Sequence, residues 1–265
     1  MGEEPAPELI FGLHPVLEAL RAGRRRLVRL RVQEDLKRAE LGELTELAQA
    51  AGIRVERIPR SRLEATLPSG AKPQGLVLEA GPLPAPSLEE LRSLPFSPGE
   101  SRRLVALDGV EDPQNLGAII RVAEAAGALG LVLTARRAPP LGAAVARASA
   151  GAVEHLPVSR VGNLRRALEQ LKKGGFWAIG ADPSAGEDLF QTSDQIWQGD
   201  LVLVFGAEGR GLRRGVVESL DHRIRIPMAG RVGSLNVASA AAVVLFEILR
   251  RDSVSEGKKH RFRPR

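Results

Sequence analysis

Cysteine is absent from this chain of 265 residues, which excludes disulfide bonds and thiolate ligands for a metal. Histidine is scarce too, and the 4 histidines do not stand at the spacing of metal ligands. They are spread along the chain at His14, His155, His222 and His260. We therefore expect no metal site.

Long hydrophobic runs are also missing. The longest apolar run, residues 237–249, is too short to span a bilayer and contains Glu247. The first residues carry neither an apolar signal core nor a basic leader before one. Hydrophobic residues make up 43% of the chain, which is ordinary for a globular protein. We expect a soluble, cytoplasmic protein with one large domain or two smaller ones.

Acidic residues are too few to balance the basic ones, so the formal net charge is +6 and the pI is near 10.4. Basic residues cluster near the start, at Arg21, Arg24, Arg25, Arg26, Arg29 and Arg31, and at the end, at Lys258, Lys259, His260, Arg261, Arg263 and Arg265. Arginine greatly outnumbers lysine, which favours forked contacts to phosphate, although genome composition can produce the same excess of arginine. The clusters favour a nucleic acid as partner.

Residues 1–80 predict a small α/β domain after a disordered start over residues 1–8. Apolar and basic residues alternate over 28–33, which predicts a half-buried strand with Arg29 and Arg31 on its other face. Further elements are predicted as helices over 15–22, 39–51 and 61–67 and as strands over 55–58 and 76–78. The arginine face favours an RNA-binding role, and the alternative is a structural appendage.

A linker over residues 81–101 follows this domain. Its sequence GPLPAP is stiffened by proline into a semi-rigid spacer. Ser87 is placed to cap a short helix. The composition then changes, so we expect a second domain over 102–265 that ends in a basic tail, residues 252–265.

The second domain alternates apolar strands with helices. Strands are predicted over residues 104–107, 129–133, 153–158, 176–179 and 201–205, and helices over 116–126, 141–150 and 164–173. Near-continuous apolar runs are typical of strands buried on both faces. The alternation predicts a mostly parallel sheet covered by helices, with a ligand beyond the carboxyl ends of the strands.

The first chemical segment, residues 108–127, reads DGVEDPQNLGAIIRVAEAAG. Asn115 is placed to cap its helix. Arg121 lies off the buried stripe, between the small residues Gly117 and Ala125. Small neighbours leave room for a phosphate or another subunit beside the guanidinium. The alternative is a solvated helix arginine.

The second segment, residues 201–216, runs from a buried strand through FGAEGRG into a helix. Its glycines, Gly206, Gly209 and Gly211, let a ligand or another loop approach the backbone. Their spacing differs from GxGxxG and GxxxxGK[ST], which disfavours a nicotinamide or ATP site.

The third segment, residues 223–247, contains a short strand that Pro227 ends, a glycine loop and a helix of small residues. Ser234 or Asn236 can cap that helix. Its first N–H groups can bind an anion, and the alternative is an ordinary strand-to-helix connection.

In a parallel sheet these three loops converge on one ligand, with Glu208 and Arg121 as the main ionisable groups. The sequence contains no recognisable Ser–His–Asp set, carboxylate pair or metal cluster, which disfavours hydrolysis.

Three motifs stand in order: N-L-G-x-x-x-R at residues 115–121, F-G-A-E-G-x-G at 205–211 and I-P-M-x-G-x-V-x-S-L-N-V at 226–237. Together they resemble the SpoU (TrmH-like) branch of the SPOUT superfamily, whose members are RNA ribose 2′-O-methyltransferases. The resemblance extends through SAGAVEHLPV at 149–158 and FGLHPVLEAL at 11–20. That layout is similar to bacterial 23S rRNA enzymes that methylate a guanosine in the peptidyl-transferase centre.

The resemblance implies a parallel-sheet SPOUT domain with a deep C-terminal trefoil knot, preceded by a small ribosomal-protein-like RNA-binding domain. It also implies a homodimer, and S-adenosylmethionine as a methyl donor held mostly by backbone groups. The positions that match the cofactor pocket are Gly180, Ala181, Phe205, Gly206, Glu208, Gly209, Ile226, Met228, Ser234 and Leu235.

The same resemblance implies a catalytic set of Asn115, Arg121, Glu208, Ser234 and Asn236. Arg121 would act at a site shared between subunits. A guanidinium that keeps its charge is a poor base, so we expect Arg121 to hold an RNA phosphate and stabilise the 2′-oxyanion. Asn115 would orient the arginine or the ribose, and the proton acceptor stays open. RNA contacts are expected at Arg24, Arg25, Arg29, Arg31 and Arg121.

The function implied by the resemblance is 2′-O-methylation of a guanosine in 23S rRNA, with S-adenosylmethionine as donor and neither a membrane nor a metal involved. One alternative keeps the chemistry and changes the target to a tRNA or an rRNA adenosine. Another is an RNA-binding or ribosome-assembly factor without catalytic activity.

Overall fold

The structure, a computed structural model, describes residues 6–36, 38–96 and 101–255. In these ranges the chain forms a four-stranded and a seven-stranded sheet, which confirms the predicted α/β class. No helix in these ranges is long and apolar enough to cross a membrane. The basic cluster at residues 258–265 and most of the start predicted to be disordered lie outside the described residues.

The smaller sheet and its helices, called here the small unit, occupy residues 6–80. Its elements are β1 (Glu8–Phe11), α1 (Leu13–Ala22), β2 (Leu27–Gln33), α2 (Arg38–Ala50), β3 (Arg54–Ile58), α3 (Arg60–Glu64) and β4 (Leu76–Ala80). The strand order is β1-β4-β2-β3, with β2 parallel to β3 and antiparallel to β4. The alternation in β2 buries Leu30 and Val32 against α1 and α2, as predicted. Strand β1 was not predicted, because its start falls within the segment interpreted as disordered.

Helix α4 (Leu88–Arg92) lies in the predicted linker. The Ser87 hydroxyl accepts from the backbone N–H of Glu90 at 3.2 Å, and the Glu90 carboxylate accepts from the N–H of Ser87 at 2.7 Å. This reciprocal capping box confirms the predicted role of Ser87. Leu91 is fully buried in the core of the larger sheet, so the helix anchors the linker there.

The larger sheet and its helices, called here the large unit, occupy residues 101–255. Its elements are β5 (Arg103–Asp108), α5 (Pro113–Ala125), β6 (Gly130–Thr134), α6 (Ala143–Ala148), β7 (Val158–Val161), α7 (Leu164–Lys173), β8 (Trp177–Ala181), β9 (Glu187–Asp188), β10 (Leu201–Gly206), α8 (Arg214–Val217), β11 (His222–Arg225) and α9 (Val237–Ser255).

All strand pairs of the large unit are parallel, in the order β7-β6-β5-β10-β8-β11-β9. Apolar side chains on both faces form two cores, one under α5 and α9 and the other under α4 and α7. This burial explains why the central strands read as continuous apolar runs. The central carboxyl edge is therefore where a ligand is expected.

The predicted strand over residues 153–158 is wrong. Ala152–Glu154 form a 3₁₀ helix, and β7 starts only at Val158. Val153 and Leu156 are buried. A short apolar run does not distinguish a strand from a buried helical turn.

A buried ion pair joins the two units. Arg25 Nε donates to Glu154 Oε2 at 2.8 Å, and both side chains are fully buried. Burial raises the pKa of Glu154, although hydrogen bonding and charge from Arg25 oppose the shift. Beside this pair, His155 Nε2 lies 2.6 Å from Glu18 Oε2. These contacts dock α1 of the small unit onto the segment that precedes β7.

Candidate active site

A cleft of about 310 Å³ opens at the carboxyl edge of the large sheet. The loops that follow β8, β10 and β11 form its walls, together with the first turns of α9. The second and third motifs both contribute to its lining. The second and third segments therefore converge on one ligand site as predicted, whereas no residue of the first segment, 108–127, is among the lining residues.

Most of the residues predicted to bind the cofactor line this cleft: Ala181, Phe205, Gly206, Glu208, Gly209, Ile226, Met228, Ser234 and Leu235. Gly180 does not. It is buried, and a Cβ at this position would lie 3.0 Å from Leu212 Cδ1 and closer still to Leu220. Gly180 therefore allows close packing beneath the cleft, a role that its sequence position did not reveal.

The loop of the second motif folds back onto itself. Gly211 N donates to the carbonyl of Ala207 at 2.9 Å. A Cβ on Gly206 would lie 2.5 Å from Gly211 O, so only glycine fits there. Gly209 and Gly211 have φ values of 72° and 65°, a region that favours glycine. The three glycines thus form a tight loop whose backbone faces the cleft.

Asn236 joins all three motifs. Its Nδ2 donates to Asn115 Oδ1 at 2.9 Å and to Glu208 Oε1. Its Oδ1 accepts from the backbone N–H groups of Ala238 at 2.9 Å and Ser239 at 3.4 Å, which makes Asn236 the cap of α9. Both ends of the amide are engaged, so its orientation is set by its neighbours.

The predicted cap of α5 was wrong. Asp112 caps this helix, since its carboxylate accepts from Gln114 N at 3.2 Å and Asn115 N at 3.1 Å. Pro113 occupies the first turn, where a missing N–H costs nothing. Asn115 is thereby left free of capping, and its side chain is available to Asn236.

One interaction beside the cleft, between the end of β5 and the residue that follows the glycine loop, was not predicted from the sequence. Asp108 ends β5 with its side chain fully buried, and it accepts from Arg213 N at 2.8 Å and Arg213 Nε at 2.7 Å. This pair fixes the exit of the glycine loop to the end of the neighbouring strand. A carboxylate directly after a buried strand was the signal available in the sequence.

Asp182, on the loop after β8, adds a second carboxylate to the lining. Burial opposes its ionisation, but hydrogen bonds from Ser184 and Arg223 outweigh that effect and lower its pKa. Ser184 donates from its backbone at 2.9 Å and from its hydroxyl at 2.8 Å. The Asp182 carboxylate therefore stays ionised at the cleft, where Arg223 pairs with it at 3.2 Å.

Arg121 does not line this cleft. It is exposed on α5, six residues beyond Asn115, which corresponds to about 9 Å along a helix. It lines instead a second cleft between the two units, with residues of the small unit. The sequence correctly placed Arg121 off the buried stripe of α5.

The expected RNA contact at Arg25 does not fit the structure, because its guanidinium is buried in the ion pair with Glu154. Arg24 is half-buried and donates to the carbonyl of Glu154 at 3.1 Å. Arg29 and Arg31 are partly exposed, but both lie within 4.0 Å of glutamates on neighbouring strands, Glu56 and Glu79. Both arginines of this face are therefore paired with acidic residues of the same sheet.

The lining of the cofactor cleft suits S-adenosylmethionine. Apolar side chains of Ile226, Met228 and Leu235 can pack against a purine, and the backbone of the glycine loop supplies hydrogen-bonding groups. Glu208 and Asp182 supply negative charge for a ligand that carries a sulfonium and an ammonium group. The volume falls within the range of small-molecule sites.

Comparison with known families and proteins agrees with this geometry. Residues 102–246 match the SpoU rRNA Methylase family, and residues 9–86 match the family described as RNA 2′-O ribose methyltransferase substrate binding. The chain belongs to the SpoU rRNA methylase family. It is an S-adenosylmethionine-dependent RNA 2′-O-methyltransferase of the TrmH/SpoU type.

Relatives cover nearly the whole chain. A Bacillus subtilis protein named as a TrmH family tRNA/rRNA methyltransferase is 38% identical over 244 residues, 92% of this chain and 96% of its own. The AdoMet complex of the SpoU methyltransferase AviRb from Streptomyces viridochromogenes aligns at a TM-score of 0.75 and 28% identity, covering 93% and 91% of the two chains. An AdoMet-bound rRNA methyltransferase from Sinorhizobium meliloti aligns at 0.76 and 28%, covering 94% and 88%.

Proposed function

We propose that the substrate is 23S rRNA and that the methylated atom is the ribose 2′-oxygen of a guanosine in the peptidyl-transferase centre. The observation that carries this proposal is the small unit. The rRNA methyltransferase of Sinorhizobium meliloti aligns over 94% of this chain, whereas the TrmH/SpoU tRNA modifying enzyme of A. aeolicus aligns over 64%. An added RNA-binding unit suits a large folded RNA. The choice of guanosine follows the sequence resemblance.

The proposal includes the organisation of the molecule. The RNA-binding domain spans residues 1–80, the linker 81–101 and the methyltransferase domain 102–265. The cofactor cleft belongs to a trefoil knot, and two copies form a homodimer in the cytoplasm. The loops after β10 and β11 lie side by side in the lining of the cleft, and this close approach of two chain segments supports a knot.

The chemistry is an in-line attack by a ribose 2′-oxygen. Bound S-adenosylmethionine supplies a methyl group that is already activated on its sulfonium sulfur. The protein therefore has to orient the ribose and stabilise the charge that develops on its oxygen. Asn115 and Asn236, fixed by their mutual hydrogen bond, orient the ribose beside the cofactor. Glu208 and Ser234 shape the methyl site.

Arg121 stabilises the oxyanion and holds the adjacent phosphate. Because Arg121 does not line the cleft of its own chain, the cleft receives Arg121 of the partner subunit. A guanidinium keeps its charge in proteins, which suits a fixed positive partner for a phosphate.

The outer face of the small unit holds the surrounding rRNA. A cleft of about 590 Å³ there is lined by Arg29, Arg31, Arg54, Arg57 and Arg62, with Glu56 among them. Arg54, Arg57 and Arg62 are exposed. They add positive charge beyond what the glutamates neutralise, and RNA backbones bind to such surfaces through phosphate.

The test is to incubate the protein with labelled S-adenosylmethionine and either unmodified 23S rRNA or unmodified tRNA, and then to map the modified nucleotide. Label on a 23S guanosine at the 2′-oxygen is the expected result. Label on an adenosine would identify a different rRNA target, and label on tRNA alone would overturn the rRNA proposal. Transfer to neither RNA, from a protein that binds the cofactor, would point to the non-catalytic alternative.

A further inference from the structure

Two further stretches of the sequence that carry the resemblance, FGLHPVLEAL at residues 11–20 and SAGAVEHLPV at 149–158, take no part in the cofactor cleft. They meet each other at the junction of the two units. A second cleft of about 400 Å³ opens where they meet. Phe11 and His14 come from the first stretch and Ala150 from the second.

This junction cleft is positively charged. Lys72, Arg121 and Arg147 line it, with His14 beside them, and all four side chains are exposed. No aspartate or glutamate is among its lining residues. Within residues 6–36, 38–96 and 101–255, none of the three cations forms an ion pair, in contrast to Arg25, Arg29 and Arg31 of the small unit.

Side-chain contacts and unusual backbone conformations fix the walls of the junction cleft. Arg147 stacks over the Phe11 ring, with its guanidinium carbon 5.0 Å from the ring centroid. Gln74 Oε1 accepts from Leu13 N at 3.0 Å, which fixes the Gln74 side chain within the small unit. Gln74 and Ala150 have φ values of 50° and 51°, which residues other than glycine rarely adopt. Such conformations cluster at functional sites, where the surrounding structure enforces them.

We propose that the junction cleft binds the RNA backbone, with Lys72 and Arg147 holding phosphates next to the one held by Arg121. The RNA strand then follows the boundary between the units on its way to the target ribose. This inference rests on the proposed function in that the bound polyanion is the methylated rRNA. It assigns a role to Lys72 and Arg147, and it gives a function to the cleft between the two units.

The test compares wild type with Lys72→Met, Arg147→Met and the double variant. Methionine keeps an apolar stem of similar length, so packing over Phe11 is largely retained while the charge is lost. The matched control is the double variant Arg165→Met/Arg214→Met. These exposed arginines form ion pairs with Glu169 and Glu218 on α7 and α8, outside the junction cleft.

Binding of an unmodified 23S rRNA transcript is measured over a range of salt concentrations, together with S-adenosylmethionine binding and thermal unfolding. The double variant is expected to bind RNA at least about fivefold more weakly, with a salt slope shallower by about 1 to 2. Cofactor binding and unfolding temperature should match those of the control. Arg147→Lys, which keeps the charge, should retain the wild-type slope.

Wild-type RNA affinity and salt slope in the double variant would overturn the inference, while leaving rRNA methylation by the wild type intact. Weaker RNA binding with an unchanged salt slope would also overturn it, because it would indicate disturbed docking of the units. Failure of the wild type itself to methylate 23S rRNA would instead contradict the proposed function. The two failures are therefore distinguishable.

Discussion

The side-chain amide of Asn236 donates to the side-chain oxygen of Asn115 at 2.9 Å across 121 residues of sequence. The same nitrogen also donates to Glu208. The first turn of α5, the glycine loop after β10 and the N-terminus of α9 are thus connected by one side chain. We infer that these three catalytic candidates, Asn115, Glu208 and Asn236, act as a unit, so that the loss of one disturbs the other two.

Replacing Asn236 separates its two roles. Asn236→Asp keeps the oxygen that caps α9 but removes the donor to Asn115 and Glu208, and it sets two carboxylates side by side. Asn236→Ala removes the cap as well, which costs about 1 kcal/mol of stability. We expect both variants to lose at least about 90% of methyl transfer, an effect of about 1.4 kcal/mol on the barrier. Asn236→Ala should also unfold more readily than wild type because it lacks the cap. Methylation assays and urea unfolding measure the two effects, and wild-type turnover by Asn236→Asp would contradict this assignment.

The glycine loop leads to a second prediction. Gly206→Ala places a Cβ 2.5 Å from Gly211 O and Leu212 N, which are backbone atoms that cannot rotate away. The loop has to open, so S-adenosylmethionine affinity should fall by about tenfold or more, the equivalent of roughly 1.4 kcal/mol. Gly186→Ala is the control, because nothing lies within 4 Å of a Cβ there. Isothermal titration with the cofactor measures the difference, and equal affinities would show that the loop adapts.

Much of the large unit was predictable from sequence, because buried parallel strands read as continuous apolar runs. Helix α7 has the predicted bounds, and β10 exceeds the prediction by one residue. The cap at Asn236 was one of two predicted possibilities. The family resemblance also identified nine of the residues that line the cleft at the carboxyl edge of the large sheet.

Other features could not be read from local sequence because they depend on distant partners. Arg25 looked like an RNA contact within a basic cluster, yet it is buried against Glu154, which lies 129 residues away. Gly180 looked like part of the cofactor loop, but its small size serves packing against Leu220. The pairing of Asp108 with Arg213 spans 105 residues. Neither the periodicity nor the composition of a local segment predicts contacts between residues that are distant in the sequence.

The Asp108–Arg213 pair yields a third prediction. Arg213→Ala removes the cation beside the buried Asp108 carboxylate, although the backbone N–H at position 213 still donates to it, and this costs about 1 to 3 kcal/mol. Asp108→Asn removes the buried charge but keeps an oxygen for Arg213 N. The double variant should therefore be more stable than Arg213→Ala alone. Urea unfolding of the four proteins gives the coupling free energy, and simple additivity of the two single effects would refute the interpretation.

Glu247 on α9 should give part of the protein's stability a pH dependence. Hydrogen bonds from Arg250, and then from Arg251, lower the pKa of this carboxyl from 4.5 to about 2. A carboxyl with a lowered pKa in the folded state stabilises the protein above its unfolded pKa and loses that effect as the pH falls towards the folded value. The stability lost by Glu247→Gln should therefore be full at pH 7 and shrink between pH 4.5 and 2.

Urea unfolding of wild type and Glu247→Gln at several pH values measures this difference. Glu169→Gln is the control, because Glu169 forms an exposed pair with Arg165 and such pairs contribute at most about 1 kcal/mol. A Glu247→Gln penalty that is the same at pH 7 and pH 3 would show that the carboxylate charge contributes nothing.

The position of Arg121 outside the cofactor cleft of its own chain leads to the last prediction. Arg121→Ala should abolish methyl transfer and leave S-adenosylmethionine affinity nearly unchanged, because we propose that the guanidinium contacts RNA and the oxyanion rather than the cofactor. Arg121→Lys should recover little activity if the contact to phosphate is forked. Near-full activity of Arg121→Lys would show that a single positive charge at this position is sufficient, and it would contradict the forked contact.

Mixing of variant subunits then tests whether Arg121 acts in the cleft of its own chain or in the cleft of the partner subunit. Chains with Arg121→Ala and chains with Asn236→Ala, each inactive as a homodimer, are co-expressed with different tags, and the mixed dimer is purified on both. If Arg121 acts across the interface, one of the two clefts receives an intact Asn236 and an intact Arg121, so the mixed dimer should show about half of wild-type activity. If Arg121 acts within its own chain, both clefts carry one lesion and the mixed dimer stays inactive. Failure to capture any mixed dimer would contradict the homodimer itself.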